Sequence, residues 1–168
     1  MSGTMDNFSL PVRIVATLTK ALDLDTPVDP LVFSEMFTLS NGTGSGQVSQ
    51  MFHDTRTLNA SASEALDLYG GLTNAFGVTI NFARLKFVFI RAKAANTNSV
   101  EVTRTATTGA PLFMADGDGI SLAPGEVFMY FSPTTGKAIT DSSDDTLTFT
   151  NSAGSSSVAY DIILVGTD

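Results

Sequence analysis

Leu85-Lys86-Phe87-Val88-Phe89-Ile90-Arg91-Ala92 is the stretch on which the fold turns. Two-residue alternation puts Leu85, Phe87 and Phe89 on one face and Val88, Ile90 and Ala92 on the other. Both faces are apolar, as expected of a strand covered on both sides and central to a core. The cations in and around it, Arg84, Lys86, Arg91 and Lys93, read as solvated strand ends rather than as a binding patch.

Beyond this strand the same period recurs. Val127, Met129 and Phe131 alternate with Phe128 and Tyr130, and Leu147 and Phe149 alternate with Thr146, Thr148 and Thr150. Val158, Tyr160, Ile162 and Leu164 share one face. Turn chemistry at Gly117 to Gly119, Pro124-Gly125 and Asn151 to Ser157 separates these runs. Short strands at such spacing predict an all-β, antiparallel β-sandwich, jelly-roll-like in arrangement. Ser63 to Tyr69 is compatible with one or two turns of helix stopped by Gly70-Gly71, or with a short strand through Leu66 and Leu68.

Before it, the pattern loosens. Val12, Ile14, Ala16 and Leu18 oppose Arg13, Thr17 and Thr19, the signature of a half-buried strand. A second apolar run, Leu31 to Leu39, follows the loop carrying Pro27 and Pro30, and Gly42, Gly44 and Gly46 punctuate a flexible turn. Residues 1–46 are therefore expected to form a less regular N-terminal arm, swapped or interface-forming, and residues 47–168 the β-sandwich domain.

The chain has 168 residues, 43% hydrophobic and 15% charged, which suits one domain with a sizeable core and argues against disorder. A net charge of -8 argues against a nucleic-acid binder, which needs clustered positive charge to displace counterions. Cysteine is absent, so disulfides and thiolate metal sites are excluded. No apolar run reaches the roughly 18–20 residues of a membrane helix. Met1 to Leu10 lacks the basic start and apolar run of a signal peptide, so synthesis in a cytoplasm without export is expected.

Candidate chemistry is sparse. The single histidine, His53, adjoins Asp54, but neighbours on a strand point to opposite faces, so the two cannot readily form a histidine–carboxylate couple. Asp116-Gly117-Asp118-Gly119 resembles a calcium loop superficially. Counted from Asp116, however, position five is Ile120 and position six is Ser121, where the ligand and glycine of that template should stand, and a hairpin turn accounts for the stretch better. Asp141, Asp144 and Asp145 form a second acidic cluster, able at most to hold a cation weakly together with Asp118. Paired carboxylates serve glycoside hydrolysis, but no two can be placed from sequence at the required separation. Trp is absent, and Tyr69, Tyr130 and Tyr160 are scattered. Asn41 to Gly46 lacks the Lys-Ser/Thr of a phosphate loop. No residue is assigned a catalytic, cofactor-binding or metal-binding role, and no enzymatic activity is expected.

Leu66-Asp67-Leu68-Tyr69-Gly70-Gly71-Leu72-Thr73-Asn74-Ala75-Phe76-Gly77, followed by Asn81 to Lys86, resembles small virion proteins of tailed bacteriophages. The likeness continues through Ser121 to Phe131, Asp145 to Thr150, Asn151 to Gly154 and Tyr160 to Ile163, spanning about residues 54–166. It implies a virion location and a β-sandwich, and it transfers no functional residue. Taken with the acidic balance and the 12 Phe, some expected in subunit interfaces, the leading expectation is a capsid decoration, or cement, protein on the phage particle surface. Its expected partners are the major capsid protein and further copies of itself, a trimer being favoured, with no nucleic acid and no membrane. The alternatives are a tail or fibre component that binds a host-surface glycan, and a carbohydrate-cleaving spike domain.

Overall fold

The computed structural model describes residues 5–168, and all of its regular elements are strands. They are β1 (Asn7–Thr19), β2 (Val28–Asn41), β3 (Gln47–Val48), β4 (Gln50–Leu58), β5 (Ser63–Asp67), β6 (Tyr69–Thr73) and β7 (Thr79–Asn81). There follow β8 (Arg84–Ala92), β9 (Val100–Thr103), β10 (Gly119–Leu122), β11 (Val127–Phe131), β12 (Lys137–Ala138), β13 (Thr146–Asn151) and β14 (Val158–Thr167). The stretch from Ser63 to Tyr69 is thus extended, not helical.

Two antiparallel sheets form the body. One has the order β4-β14-β8-β11, with β12 added on β8; the other has the order β5-β13-β9-β10. Their inner faces merge into one cluster that includes Val88, Ile90, Ile162 and Leu164 from the first sheet and Leu66, Val102, Leu122 and Leu147 from the second. Phe149 and Tyr160 stack across the two layers, ring centroids 4.4 Å apart and 8° from parallel. Such a pair adds about 0.5–1.5 kcal/mol beyond the area it buries. β6 and β7 make a separate small hairpin.

The expected central strand is β8, paired with β14 on one side and β11 on the other. One detail differs from strict alternation. The pairing slips at Val165/Gly166, so that Val165 opposes Phe87 and Gly166 opposes Leu85. Lys86 is the extra residue of this bulge. Leu85 therefore joins Val88, Ile90 and Ala92 in the inner core, while Phe87 faces outward into a second cluster. Glycine is required opposite the bulge, because a Cβ on Gly166 would collide with the Arg84 carbonyl oxygen.

The N-terminal region is more regular than its sequence suggested. β1 and β2 pair without interruption from Asn7↔Ser40 to Thr19↔Val28. Pro30, expected in a loop, lies within β2, and Pro11 lies within β1; a two-stranded ribbon has an open edge on each strand, where a nitrogen without hydrogen costs no ladder bond. Nor is the ribbon half-buried along its length. Val12 is partly covered, whereas every residue from Arg13 to Met36 is exposed. At its base the ribbon runs into the body through the parallel pairs Ser40↔Gln47 and Asn41↔Val48. Residues 1–4 of the expected arm lie outside the described residues.

Candidate functional site

The outer faces of the two body sheets differ in chemistry. On β5-β13-β9-β10, Ser63, Thr150 and Glu101 lie in one cross-strand row and Ala65, Thr148 and Thr103 in the next. This is a surface that water satisfies. On β4-β14-β8-β11 the first row is Met51–Val165–Phe87–Phe131, the second His53–Ile163–Phe89–Met129, and the third Thr55–Asp161–Arg91–Val127.

The base of the ribbon covers Val165, Phe87 and Phe131 of the first row and leaves Met51 exposed. Leu39, Val48, Phe87 and Val165 form a buried cluster, with Phe8, Leu10 and Phe131 packed against it. Phe8 meets Phe87, and Phe37 meets Phe131, each at 5.1 Å between ring centroids. The second row is only half covered: Phe89 and Ile163 are partly buried, and Met129 is 49% exposed. His53, Phe89 and Ile163 of this row and Thr55, Arg91 and Asp161 of the third line an open groove of about 610 Å³, with Asp54 also on its wall. In that third row Asp161 binds Arg91 at 2.5 Å and Lys93 at 2.6 Å, and accepts a hydrogen bond from the Thr55 hydroxyl at 2.7 Å. Burial pushes its carboxyl up, but Lys93, Thr55 and Arg91 outweigh this and hold it at about 2.

Beyond its base the ribbon presents two faces. One carries Phe8, Leu10, Val12, Ile14, Ala16 and Leu18 beside Leu39, Phe37, Glu35, Phe33, Leu31 and Asp29. The other is more mixed, with Arg13, Ser34 and Thr38 among its residues. Of the sixteen exposed large hydrophobic residues among the described residues, ten lie between Ile14 and Met36. Apolar surface this concentrated marks an interaction element rather than scattered surface side chains.

Lys86 secures the junction between ribbon and body. It is buried, not solvated as its sequence context suggested, and its ammonium donates to the carbonyl oxygens of Gly44 at 2.7 Å and Gln47 at 2.8 Å. Burial, and next the nearby Arg84, push its pKa down. The glycine-rich turn after β2 is thereby pinned to the bulge of the central strand. Arg91 and Lys93 are likewise engaged, by Asp161.

The register puts His53 beside Ile163 on the outer face, while Asp54 lies beside Ile162 and takes a hydrogen bond from Arg56 at 2.9 Å. Arg56 also pairs with Glu64 at 2.6 Å, and Glu64 accepts the Tyr160 hydroxyl at 2.7 Å. Burial, with the Glu64 carboxylate next, raises the Tyr160 pKa. Hydrogen bonding to Glu64 raises that of Arg56. One arginine thus holds both Asp54 and the Glu64 carboxylate that accepts the tyrosine hydroxyl.

A smaller cleft, of about 190 Å³, brings Ser49, His53 and Asp168 together with Gln50 and Asn74, and Phe76 stands 75% exposed at its edge. The three residue types of a hydrolytic triad share this cleft in the wrong order. The Ser49 hydroxyl donates directly to the Asp168 carboxylate, and the Asp168 amide donates back to Ser49 at 3.1 Å. The carboxylate that should orient a histidine holds the serine instead.

The two acidic loops do approach one another, but around a cation of the chain itself. Arg104 lies 3.2 Å from Asp116 and 3.6 Å from Asp144, and donates to the carbonyls of Phe113 and Met114 at 3.2 and 3.3 Å. Asp118 accepts the Ala115 amide at 2.8 Å, and the buried Asp145 accepts the Ser142 amide at 2.6 Å. Among the described residues no group of three or more acidic, histidine or cysteine side chains is placed to hold a metal ion. Also among them, no helix is long and apolar enough to cross a membrane.

Arg104 and Lys86 were the important residues missed from sequence. The one available signal for Arg104 was a lone cation in an otherwise acidic and neutral stretch; for Lys86 it was a charge inside an apolar strand. No protein-family model matches this sequence, and no curated protein is similar to it.

Proposed function

We propose that this chain is a non-enzymatic structural subunit of a tailed-phage virion, a decoration protein that cements the head shell. It would be made in the host cytoplasm and end on the particle surface, bound to the major capsid protein and to copies of itself, most simply as a trimer. The reading calls for no cofactor, nucleic acid or membrane. The observation that carries it is the ribbon: a long, regular, exposed apolar element anchored on a well-packed body is built for assembly. The acidic net charge supports it, by suiting a basic shell lattice and repelling packaged DNA.

We also propose that the body is a jelly roll. Its eight strands pair in a nested way: β4 with β14, β5 with β13, β8 with β11, and β9 with β10. A long antiparallel hairpin rolled into two sheets gives this nesting, and shell proteins of viruses use such double sheets.

A glycan-binding tail or fibre component is the second reading, favoured by the exposed Phe76 ring beside Asn74, Gln50, His53 and Asp168. One experiment separates the two. Particles assembled without this protein should adsorb to host cells normally but release DNA at lower temperature or on osmotic shock. Normal particle stability with lost adsorption would overturn the cement reading in favour of the glycan one.

A further inference from the structure

The geometry points to a head-to-tail interface between copies of this chain, in which the apolar face of one copy's β1–β2 ribbon lies in the half-exposed groove on the next copy's β4-β14-β8-β11 sheet. This deepens the reading of the chain as an assembly subunit and rests on it.

The donor surface continues one already in use. Phe8 and Leu10, which pack on the body, share a ribbon face with Ile14, Leu18, Leu31 and Phe33, which are exposed. About 20 Å of paired ribbon extends past the last covered pair. A two-stranded ribbon is marginal in water unless another layer covers it. The chain's own body does not supply that layer, because all residues from Arg13 to Met36 are exposed.

The acceptor surface matches the site where the ribbon base already packs. The row Met129–Phe89–Ile163 lies two residues, or about 7 Å, from the row Phe131–Phe87–Val165 that the chain's own ribbon buries. The same face of the same sheet therefore binds one stretch of this ribbon and leaves room for another. The ribbon face carries only Glu35 and Asp29 as charged groups, and the charges around the groove are already paired, Asp161 with Arg91 and Lys93 and Asp54 with Arg56, so the contact rests on the apolar rows.

Donor and acceptor are different surfaces of one molecule, so each copy gives one ribbon and receives one. Such a contact is heterologous and closes into a ring when the rotation between copies allows.

The test uses the full chain in analytical ultracentrifugation with two variants, Phe33→Asp in the ribbon and Met129→Asp on the acceptor row, beside the groove residue Phe89. Both positions are exposed, so circular dichroism should match the parent. The parent should be a closed oligomer, and each variant should weaken association by about a hundredfold or more. Mixed together, the variants should form a one-to-one dimer and nothing larger, since only one working ribbon and one working groove remain between them.

A parent that stays monomeric at millimolar concentration overturns the interface. So does an oligomer that Phe33→Asp breaks and Met129→Asp leaves intact, the result expected of ribbon pairing with ribbon. A monomer that still protects particles overturns the interface and leaves the cement role standing. An oligomer with both expected variant effects that never binds particles upholds the interface and overturns that role.

Discussion

The β1–β2 ribbon and the body are built from the same alternation and meet opposite fates. In β14 the face of Val158, Tyr160, Ile162 and Leu164 is buried because β13, β9 and their neighbours lie across from it. In β1 the face of Ile14 and Leu18 is as apolar, yet it stands in water because no second layer lies above it. A two-residue period therefore identifies a strand and sorts its side chains by face. It does not say what covers either face.

The contrast is sharpest at two phenylalanines. Phe149→Ala should cost about 3–5 kcal/mol in denaturant unfolding, since the ring is fully buried and stacked on Tyr160. Phe33→Ala in a dissociated subunit should change stability by no more than about 0.5 kcal/mol, its ring being 45% exposed. Equal losses at the two sites would mean that the ribbon folds back on its own body, and the distinction between the regions would fall.

A middle-sized effect is expected where the two regions join. Lys86→Met removes the ammonium and its two hydrogen bonds and leaves the Gly44 and Gln47 carbonyl oxygens without that donor, a loss of about 1–3 kcal/mol. Limited proteolysis should then cut faster between Asn41 and Gly46 while the body stays resistant. Unchanged cleavage there would show that packing of Phe8 and Leu39 alone holds the ribbon to the body.

The smallest effect concerns pH. Asp161 is held at about 2, below the ordinary aspartate value of about 3.9. Its contribution to stability is present in full above the unfolded value and is lost as pH falls toward 2. The cluster is partly open to solvent, so the contribution is modest and screened by salt. Asp161→Asn should flatten the stability profile between about pH 4 and 2 and leave the ribbon unaffected. An equally steep profile in the variant would assign the acid sensitivity to other carboxylates.

Much of the body was legible in advance, and the misreadings have identifiable causes. β8 was recognisable as central because both of its faces are apolar. Leu85 was assigned to the wrong face because a bulge changes the count by one residue, and nothing local to Lys86 announces a bulge. The opposition of His53 and Asp54 followed from strand geometry alone. The meeting of Ser49 with Asp168 did not, because the two are 119 residues apart and come together only when β14 pairs with β4. Arg104 was overlooked for the same reason: Asp116 and Asp144 lie on loops that converge on it only after the sheet has formed.

By itself, then, the sequence determined that this is a chain of strands, where most of them run, and which side chains share a face. Each of these follows from alternation and turn chemistry within a few residues. Only the tertiary structure decided which faces are covered, that the N-terminal region is a ribbon projecting from the body, and that the acidic loops close on an arginine. Burial depends on the layer above a strand, and that layer comes from distant parts of the chain.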